Sequence, residues 1–476
     1  MSLVRKVALN NSIILFERLS ASLLGFLVTI WLIRYLGTEN FGVYSLVFAW
    51  FTFLNVFTPP MIELVVAREA VLFPALTRKY LGAGLAIKIG LALLGWVSGI
   101  TAAVLLGYPP RTVFFLSIVL LGLLGNASFI LQVPHQIELR LLRPSVADGL
   151  SAILYQSGRA IAILIRLGLF PFFWIYLGYR LVQLLFFSLL SLEKKEYRPD
   201  FNFSVHEVRG IFRASWILLL NNVFIMVISR IDQLIIYQFL GARQVGLYGS
   251  CANLTDYLVL IPVSWYLTVF PLLVKYLGES GRSFEKANHY SYKYNTIIVV
   301  IAWIIFGGFS RQILSLLFGP DFMEADTALF WLSTAVVFIF LYYGLFNAAL
   351  SRGKEKAWLW VNGAGAAVNV ALNLILIPIY GIAGAGFATF AAFITQVLLA
   401  GALPAFRPDF LLMLKASAWP VVLAAALVAV SRTLELKLLI FGPVMLAAYL
   451  VLLLLTRTIN QGDLKLFYQA VGLKTK

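Results

Sequence analysis

Apolar stretches long enough to cross a lipid bilayer recur along the chain from Ala8 to Thr456. A transmembrane helix needs about 20 consecutive apolar residues, and a chain in hydrocarbon must satisfy its own backbone hydrogen bonds. Of the 476 residues, 61% are hydrophobic and 12% are charged, about half the charged fraction of a soluble domain. The sequence therefore predicts an all-α polytopic membrane protein and argues against a soluble protein with a large core.

The apolar stretches divide into about fourteen predicted transmembrane segments, called spans here. The first is too long for the core of a cleavable signal peptide and has no small-residue cleavage site after it, so we expect it to remain. The spans are residues 8–33, 41–66, 81–106, 112–133, 149–167, 169–191, 214–239, 246–274, 294–317, 327–350, 357–378, 381–403, 416–431 and 438–456.

The distribution of Lys and Arg predicts the orientation of these spans. With the N-terminus in the cytoplasm, every second connection is rich in Lys and Arg, and these connections hold most of the 37 cationic residues. Cytoplasmic loops carry such an excess. We therefore expect a multi-pass protein of the cell (inner, cytoplasmic) membrane with both termini in the cytoplasm. The net charge of +16 follows from this bias and does not indicate a nucleic-acid partner.

A short motif occurs twice. The stretch YLGTENFGVY at residues 35–44 is followed by FLGARQVGLY at residues 239–248, with the same Leu, Gly, Gly and Tyr in corresponding places. Six predicted spans separate the copies, so both lie at the same membrane face and point the same way. This predicts a parallel repeat about an axis along the membrane normal, with substrate between the halves. The predicted parts are an N-lobe of six spans (1–191), a cytoplasmic linker with an interfacial helix (192–213), a six-span C-lobe (214–403), and the last two spans with a tail (404–476).

Charged residues within spans indicate a polar cavity, because each costs about 2.5–3.5 kcal/mol at the bilayer centre on insertion scales. Arginine suits a phosphate because its planar guanidinium donates two hydrogen bonds at once. Neighbours on a helix at i,i+1 or i,i+2 do not face each other, so local pairing is not expected, and pairing across helices stays open. Near a span end such residues can instead reach the interface, as we expect for Arg166 and consider for Lys88 and Glu63. The candidate phosphate-binding residues are Arg18, Arg159, Arg180 and Arg230.

A second group of polar residues within spans are candidates for lining the cavity or for coupling to an ion. The three asparagines among them fall on one helical face, where they either line an aqueous cavity and bind sugar hydroxyls or bond to neighbouring helices. The group consists of Glu17, Lys88, Asp232, Asp256, Asn362, Asn369 and Asn373.

Cofactor and metal signatures are not evident in the sequence. Cys251 is the single cysteine, and the three histidines (His135, His206 and His289) lie far apart in stretches that we interpret as solvated connections. The phosphate-loop pattern GxxxxGK[ST] does not occur, which argues against intrinsic ATP hydrolysis. We expect no cofactor and no metal, and coupling to an ion gradient or to the membrane potential is left open.

Four stretches carry a resemblance to a known family: LFERLSASLLGFLVTIWLIRYLGTENFGVYSL, SRIDQLIIYQFLGARQVGLYGSCANL, LLFGPDFMEADTAL and RGKEKAWLWVNGAGAAVNVALNLILIPIYGIAGAGFAT. Their order and spacing resemble the polysaccharide-transport (O-antigen flippase) branch of the multidrug/oligosaccharidyl-lipid/polysaccharide exporter superfamily, over nearly the whole chain. The resemblance implies a V-shaped pair of six-helix lobes around a cationic cavity. By similarity to peptidoglycan-precursor flippases, it also implies a lipid-tail groove beside the last two spans.

The resemblance further implies a flippase that moves a polyprenyl-(pyro)phosphate-linked oligosaccharide from the inner to the outer leaflet by alternating access. Its partners would be this anionic glycolipid, membrane lipids and the glycan polymerisation or ligation machinery. The first-span arginine of the peptidoglycan-precursor relatives matches Arg18, and an arginine, apolar, aspartate pattern matches Arg230 and Asp232. Glu17 beside Arg18 departs from the pattern.

Two other functions are alternatives to the flippase. A small-molecule or cation antiporter of the same superfamily would need a lobe dominated by carboxylates, which the excess of arginine argues against. A membrane glycosyltransferase or polymerase would be expected to carry catalytic acids on a large extramembrane loop, and every predicted connection is short.

Overall fold

The computed structural model describes the backbone of residues 3–459 and 463, and the side chains of residues 22–459 and of Asp463. Over these residues the chain is helical and has no β-strand, which confirms the predicted all-α fold. The helices are α1 (Leu3–Leu54), α2 (Met61–Leu72), α3 (Thr77–Leu105), α4 (Pro110–Leu120), α5 (Gly122–Ala127), α6 (Val133–Ile137), α7 (Leu142–Leu164), α8 (Phe170–Ser191), α9 (Val205–Leu240), α10 (Ala242–Glu279), α11 (Gly281–Gly308), α12 (Ser310–Phe318), α13 (Asp326–Ser351), α14 (Glu355–Ala402), α15 (Arg407–Thr433) and α16 (Leu438–Leu455), with 3₁₀ turns at Asn55–Phe57, Pro74–Leu76, Ser128–Gln132, Lys195–Tyr197 and Pro320–Ala325.

Eleven helical segments in the described residues are long and apolar enough to cross a membrane. Two of them contain a glycine with a non-helical backbone, Gly37 in α1 and Gly381 in α14. Each glycine divides its segment into two of the predicted spans, and α7, which corresponds to the fifth predicted span, is not among the eleven. The polytopic membrane architecture is therefore confirmed, and the predicted count of fourteen is reached only when these divisions and α7 are included.

The two copies of the sequence motif have the same backbone geometry. Gly37 has φ 68° and ψ −179°, and the corresponding Gly241 has φ 80° and ψ −178°. Residues with a side chain rarely adopt this conformation, so glycine allows the chain to turn here and begin the next helix. The repeat read from the sequence is thus a repeat of structure.

The same two motifs cross each other at a pair of glycines. A Cβ atom added to Gly42 would lie 1.8 Å from the carbonyl oxygen of Ala242, and one added to Gly246 would lie 1.9 Å from that of Thr38. Gly42 and Gly246 occupy corresponding positions in the repeat, as do Thr38 and Ala242. The two helix starts therefore cross reciprocally, and only glycine permits their backbones to come this close.

Internal packing divides the chain into two compact units. The first contains the residues up to Ser250 together with Asn373–Gly381, and the second contains Cys251–Leu372 and the residues from Ile382 onward. This division follows contacts within the structure, whereas the predicted lobes 1–191 and 214–403 follow the repeat and stay a prediction.

Within the second unit, ion pairs hold α15 near both of its ends. Arg352, just after α13, pairs with the buried Asp409 in the first turn of α15. Near the other end of α15, the guanidinium of Arg432 donates to both carboxylate oxygens of Asp326, at 3.2 and 3.1 Å. The first of the two C-terminal membrane helices is therefore fixed to this unit by polar contacts as well as by apolar packing.

The connection between α8 and α9 lies along the start of α3. The backbone N–H of Asp200 donates to the carbonyl of Arg78 at 2.9 Å. A Cβ atom on Gly82 would lie 2.0 Å from the carbonyl oxygen of Asp200. The residues predicted to form an interfacial helix are the first turns of α9, which begins with a capping box between Ser204 and Glu207; their position at the membrane interface stays a prediction.

The expectation that all three histidines are solvated is wrong for His135. Its side chain is 1% exposed because it lies in α6, where its ring packs 4.8 Å from that of Tyr197. Its Nε2 atom lies 3.6 Å from the carboxylate of Glu193. His206 is exposed, and His289 is partly buried within α11.

Candidate functional site

Two membrane segments of the first unit are interrupted where they meet. The segment formed by α1 and α2 breaks at residues 55–60, which end in Pro59 and Pro60. Proline lacks a backbone N–H and disfavours helix at the residue before it. The segment from α4 to α6 is interrupted differently: after the short α5 it tightens from α-helix to the 3₁₀ turn Ser128–Gln132, while its backbone stays in the right-handed helical region; such a 3₁₀ stretch within a helix often marks a functional region. Non-helical backbone at membrane depth is tolerated only where it is buried in protein or lines an aqueous cavity.

A cavity of about 590 Å³ lies between these interruptions. Its size falls in the range of roughly 300–1,000 Å³ that is usual for ligand pockets, and most of its lining side chains are polar. The lining residues, which come from α2, α3, α5, α6, α7, α8 and the two breaks, are Asn55, Thr58, Pro60, Glu63, Leu64, Lys88, Asn126, Phe129, Gln132, Gln136, Asp148, Tyr179, Arg180 and Gln183.

Hydrogen bonds between side chains hold the two interruptions together. The Nδ2 atom of Asn126 donates to Oδ1 of Asn55 at 2.6 Å and to Oγ1 of Thr58 at 3.2 Å. The hydroxyl of Thr58 also donates to Oδ1 of Asn55, at 2.9 Å. Each break thus supplies polar side chains that satisfy those of the other, and both breaks face the same cavity.

A buried ion pair forms one wall of the cavity. The ammonium group of Lys88 on α3 donates to Oε1 of Glu63 on α2, and the two residues are 1% and 5% exposed. A buried charge is tolerated when an opposite charge and hydrogen bonds compensate it. The suggestion that these two residues reach the interface from a span end is therefore wrong, since each lies inside the protein and is charge-compensated by the other.

Arg180 on α8 also lines the cavity, among aromatic rings. Its Nε donates to the hydroxyl of Tyr176 at 2.9 Å, and its Nη1 donates to Oε1 of Gln183 at 2.8 Å. The amide of Gln183 donates in turn to the carboxylate of Asp148. The guanidinium carbon lies 5.0–5.4 Å from three ring centroids, including that of Tyr179, within reach of a cation–π interaction.

Arg159 on α7 has a different environment and is not among the residues that line the cavity. It is 4% exposed and donates to Oε1 of Gln156 at 2.8 Å and to the hydroxyl of Thr29 at 3.2 Å. Its guanidinium lies 5.3 Å from the ring centroid of Tyr155. The hydrogen bond to Thr29 attaches α7 to α1.

Among known proteins, the family described as "Polysaccharide biosynthesis protein" has a sequence model that matches residues 7–277, which is more than half of the chain. The chain belongs to this family. An uncharacterized membrane protein, MJ1068, of Methanocaldococcus jannaschii is 25% identical over 222 residues, which are 45% of this chain and 43% of that protein. The chain thus matches less than half of that relative's length.

Solved structures show the fold of this polysaccharide biosynthesis family member. The lipid II flippase MurJ in an inward closed conformation matches with a TM-score of 0.69 and 13% identity, over 96% of this chain and 99% of that one. An inward-facing multidrug resistance MATE transporter of the MOP superfamily matches with a TM-score of 0.68 and 15% identity, over 84% and 96%. An outward-facing MATE transporter matches with a TM-score of 0.57 and 15% identity, over 87% and 96%. The chain therefore shares its fold with these transporters, as the sequence resemblance predicted.

Two of the residues predicted as a site, Lys88 and Arg180, line the same cavity in this family member. Glu17 and Arg18 lie outside the residues whose side chains the structure describes. Arg230 is partly buried and Asp256 is exposed. Arg166, the second residue after the end of α7, is exposed, consistent with a residue at a span end.

The other predicted polar residues contact neighbouring helices. The carboxylate of Asp232 is buried and accepts a hydrogen bond from the hydroxyl of Tyr248, the last residue of the second motif copy. Oδ1 of Asn362 accepts from the hydroxyl of Tyr342 at 2.9 Å and from the amide of Gln396 at 3.1 Å. The remaining two asparagines, Asn369 and Asn373, are fully buried.

Several cavity residues were missed at the sequence level. The prediction treated residues 41–66 as one unbroken span, although the stretch FTPPMIE contains the prolines that open it. These prolines were the available signal for Asn55, Thr58 and the cavity role of Glu63. Among the described residues, no group of three or more His, Cys, Asp or Glu side chains is placed to hold a metal ion.

Proposed function

We propose that this polysaccharide biosynthesis family member is a flippase. It moves a polyprenyl-(pyro)phosphate-linked oligosaccharide from the inner to the outer leaflet of the cell membrane by alternating access, for surface polysaccharide synthesis. The observation that carries the proposal is a polar cavity walled by two interrupted membrane helices in a chain of this family. Interrupted membrane helices often mark the substrate site of a transporter.

The physical reason for such a cavity lies in the head group. A hydroxyl transferred from water to hydrocarbon without a hydrogen bond costs roughly 2–7 kcal/mol, so a bare oligosaccharide does not cross a bilayer unaided. A protein that offers replacement hydrogen bonds removes most of that barrier, while the prenyl tail stays among the lipid chains. The likeness in fold to a lipid II flippase is compatible with this activity.

The antiporter alternative has less support from the cavity. A site for a cationic drug should carry uncompensated carboxylate charge, and here the carboxylate of Glu63 is neutralised by Lys88. A glycosyltransferase or polymerase is also disfavoured, because the longest connection between described helices is residues 192–204, too short for a catalytic domain.

The substrate partner in this proposal is an anionic lipid-linked glycan, with Arg18 and Arg230 as its phosphate ligands. Both termini are placed in the cytoplasm, and the driving force is an ion gradient or the membrane potential rather than a bound cofactor. One charge moved through 100 mV is worth about 2.3 kcal/mol. The glycan polymerisation or ligation machinery would act on the product.

The test is complementation of a strain that lacks a defined flippase, with surface glycan and lipid-linked intermediates both measured. Arg18→Ala and Arg230→Ala should abolish glycan export while the protein still accumulates in the membrane. Arg166→Ala is the matched control, because Arg166 is exposed at the end of α7, and it should export normally. Normal export by both arginine variants would contradict the proposed phosphate ligands, and failure of the unmodified protein with every lipid-linked glycan offered would contradict the function.

A further inference from the structure

We infer that the cavity of the first unit is a carbohydrate subsite, which takes an uncharged, hydroxyl-rich sugar of the head group and not its phosphate. This inference rests on the proposed flippase function and adds to it which site of the protein would hold which part of the substrate. The arginines of the phosphate proposal would hold the anion, while this cavity would hold sugar. It also reassigns Arg180 from phosphate binding to the wall of the sugar subsite.

The charges that line the cavity balance one another. Two cations, Lys88 and Arg180, and two carboxylates, Glu63 and Asp148, line the cavity, so its formal charge is zero. Lys88 is held by Glu63, and Arg180 is connected to Asp148 through an intervening amide. A phosphate that took Lys88 would leave an uncompensated buried carboxylate, which is strongly unfavourable. The cavity therefore does not offer the excess positive charge that a phosphate or pyrophosphate needs.

Apart from these charged groups, most of the polar side chains that line the cavity are neutral amides. Five amide side chains face the cavity, those of Asn55, Asn126, Gln132, Gln136 and Gln183. An amide carries both donors and acceptors, and a sugar hydroxyl is also both a donor and an acceptor. Neutral amides can therefore form hydrogen bonds with the hydroxyls of a sugar that carries no charge.

The five amides differ in whether their hydrogen-bonding groups are already used. Gln132 and Gln136 line the cavity and are spaced by four positions on neighbouring turns, so their side chains lie on one face. Neither side chain makes a hydrogen bond within the part of the chain that the structure describes. By contrast, Asn55, Asn126 and Gln183 are engaged with other side chains. The two glutamines are the amides available to a ligand, and apolar walls at Phe129 and Tyr179 can pack against the carbons of a sugar ring.

The experiment compares two kinds of ligand on the full-length protein in lipid nanodiscs. One probe is farnesyl pyrophosphate, which carries the anion without a sugar. The others are farnesyl-pyrophosphoryl glucose, galactose and N-acetylglucosamine. The measured quantity is the ratio of dissociation constants between the sugar-free probe and the sugar-bearing probe that binds most tightly. We expect the unmodified protein to prefer a sugar-bearing probe.

The diagnostic variants are Gln132→Met, Gln136→Met and their combination, which remove the amides at similar volume. Each single change should weaken binding of the preferred sugar-bearing probe by about two- to tenfold, the value of one hydrogen bond, and leave binding of farnesyl pyrophosphate unchanged. Gln244→Met on α10 is the control, because Gln244 is also partly buried but does not line the cavity. It should change neither affinity.

The outcomes separate the two proposals. If the unmodified protein binds all four probes alike, or if the glutamine variants weaken both kinds of probe equally or neither, the sugar subsite is refuted and the flippase proposal stands. If no probe binds at all, both the subsite and the proposed phosphate recognition fail. A loss confined to the sugar-bearing probes supports the inference.

Discussion

Replacing Gly42 by alanine should separate the two helices that begin at the repeated motifs. The new Cβ atom would lie 1.8 Å from the backbone carbonyl oxygen of Ala242, and that contact would have to lengthen by more than 1 Å to become acceptable. The obstacle is backbone and cannot rotate away. Overpacking of a well-packed interior costs typically 1–3 kcal/mol, and we expect the upper part of that range for Gly42→Ala.

The matched control is Gly90→Ala, because Gly90 is also helical but has no atom within 4 Å of the added Cβ position. Alanine is favoured over glycine within a helix by up to about 1 kcal/mol, so this variant should be neutral or slightly more stable. The unfolding free energies of the two variants should therefore differ by roughly 2–4 kcal/mol, which adds the overpacking cost at Gly42 to the gain in helix propensity at Gly90.

The assay is reversible unfolding in mixed micelles with an increasing fraction of denaturing detergent, followed by tryptophan fluorescence. The double variant Gly42→Ala/Gly246→Ala should cost less than the sum of the two single changes, since one separation of the helices relieves both clashes. Equal stability of Gly42→Ala and Gly90→Ala, or full additivity of the pair, would refute the close crossing as the reason for the two glycines.

Three further predictions concern polar contacts and the linker. Lys88→Met should cost about 3–5 kcal/mol of unfolding free energy, because it leaves a buried carboxylate without its partner, whereas the double variant Glu63→Leu/Lys88→Met should cost much less. The same micelle titration measures both variants, and an equal loss of stability in the two would contradict the pairing. Gly82→Ala would place a methyl group 2.0 Å from a linker carbonyl, so limited proteolysis between α8 and α9 should become faster, and an unchanged rate would argue against the close approach. The hydrogen bond from Arg143 lowers the pKa of the Glu193 carboxyl, so this contact stabilises the fold above the unfolded pKa of about 4.3 and is lost as the pH falls through the lowered folded pKa. Glu193→Gln should therefore weaken the fall in thermal stability on acidification below about pH 4.3, and an unaltered profile would contradict this contribution.

The sequence predicted the features that depend on local composition. Hydropathy located the membrane helices, because hydrocarbon admits few alternatives to an apolar helix. Gly37 and Gly241 were identified from the repeated motif, since a turn with φ near 70° leaves few residue types other than glycine. The structure confirms the repeat for the motif itself, whereas the parallel repeat of two six-span lobes stays a prediction from these letters and from the even number of spans between them.

The pairing of buried charges could not be read in the same way. Glu63 and Lys88 are each unfavourable in a membrane when considered alone, and the sequence shows only this cost of placing each charge there. Their mutual contact depends on how α2 packs on α3, which hydrophobic periodicity does not specify. The break at Pro59 and Pro60 was visible in the letters, whereas the break at Ser128–Gln132 contains no proline and has no comparable local signal.

Polar residues inside a membrane protein therefore fall into two classes that differ in their partners. Arg159, Asp232 and Asn362 donate to or accept from other helices, so their hydrogen bonds help to hold the bundle together. Gln132 and Gln136 face a cavity and have side-chain hydrogen-bonding capacity that the described residues do not use. Insertion cost alone cannot separate these classes, because it is set by the side chain and not by its partner. The number of charges within spans is therefore a weak guide to a substrate site in such a bundle. Polar side chains beside an interrupted helix that still have unused hydrogen-bonding groups are a better guide.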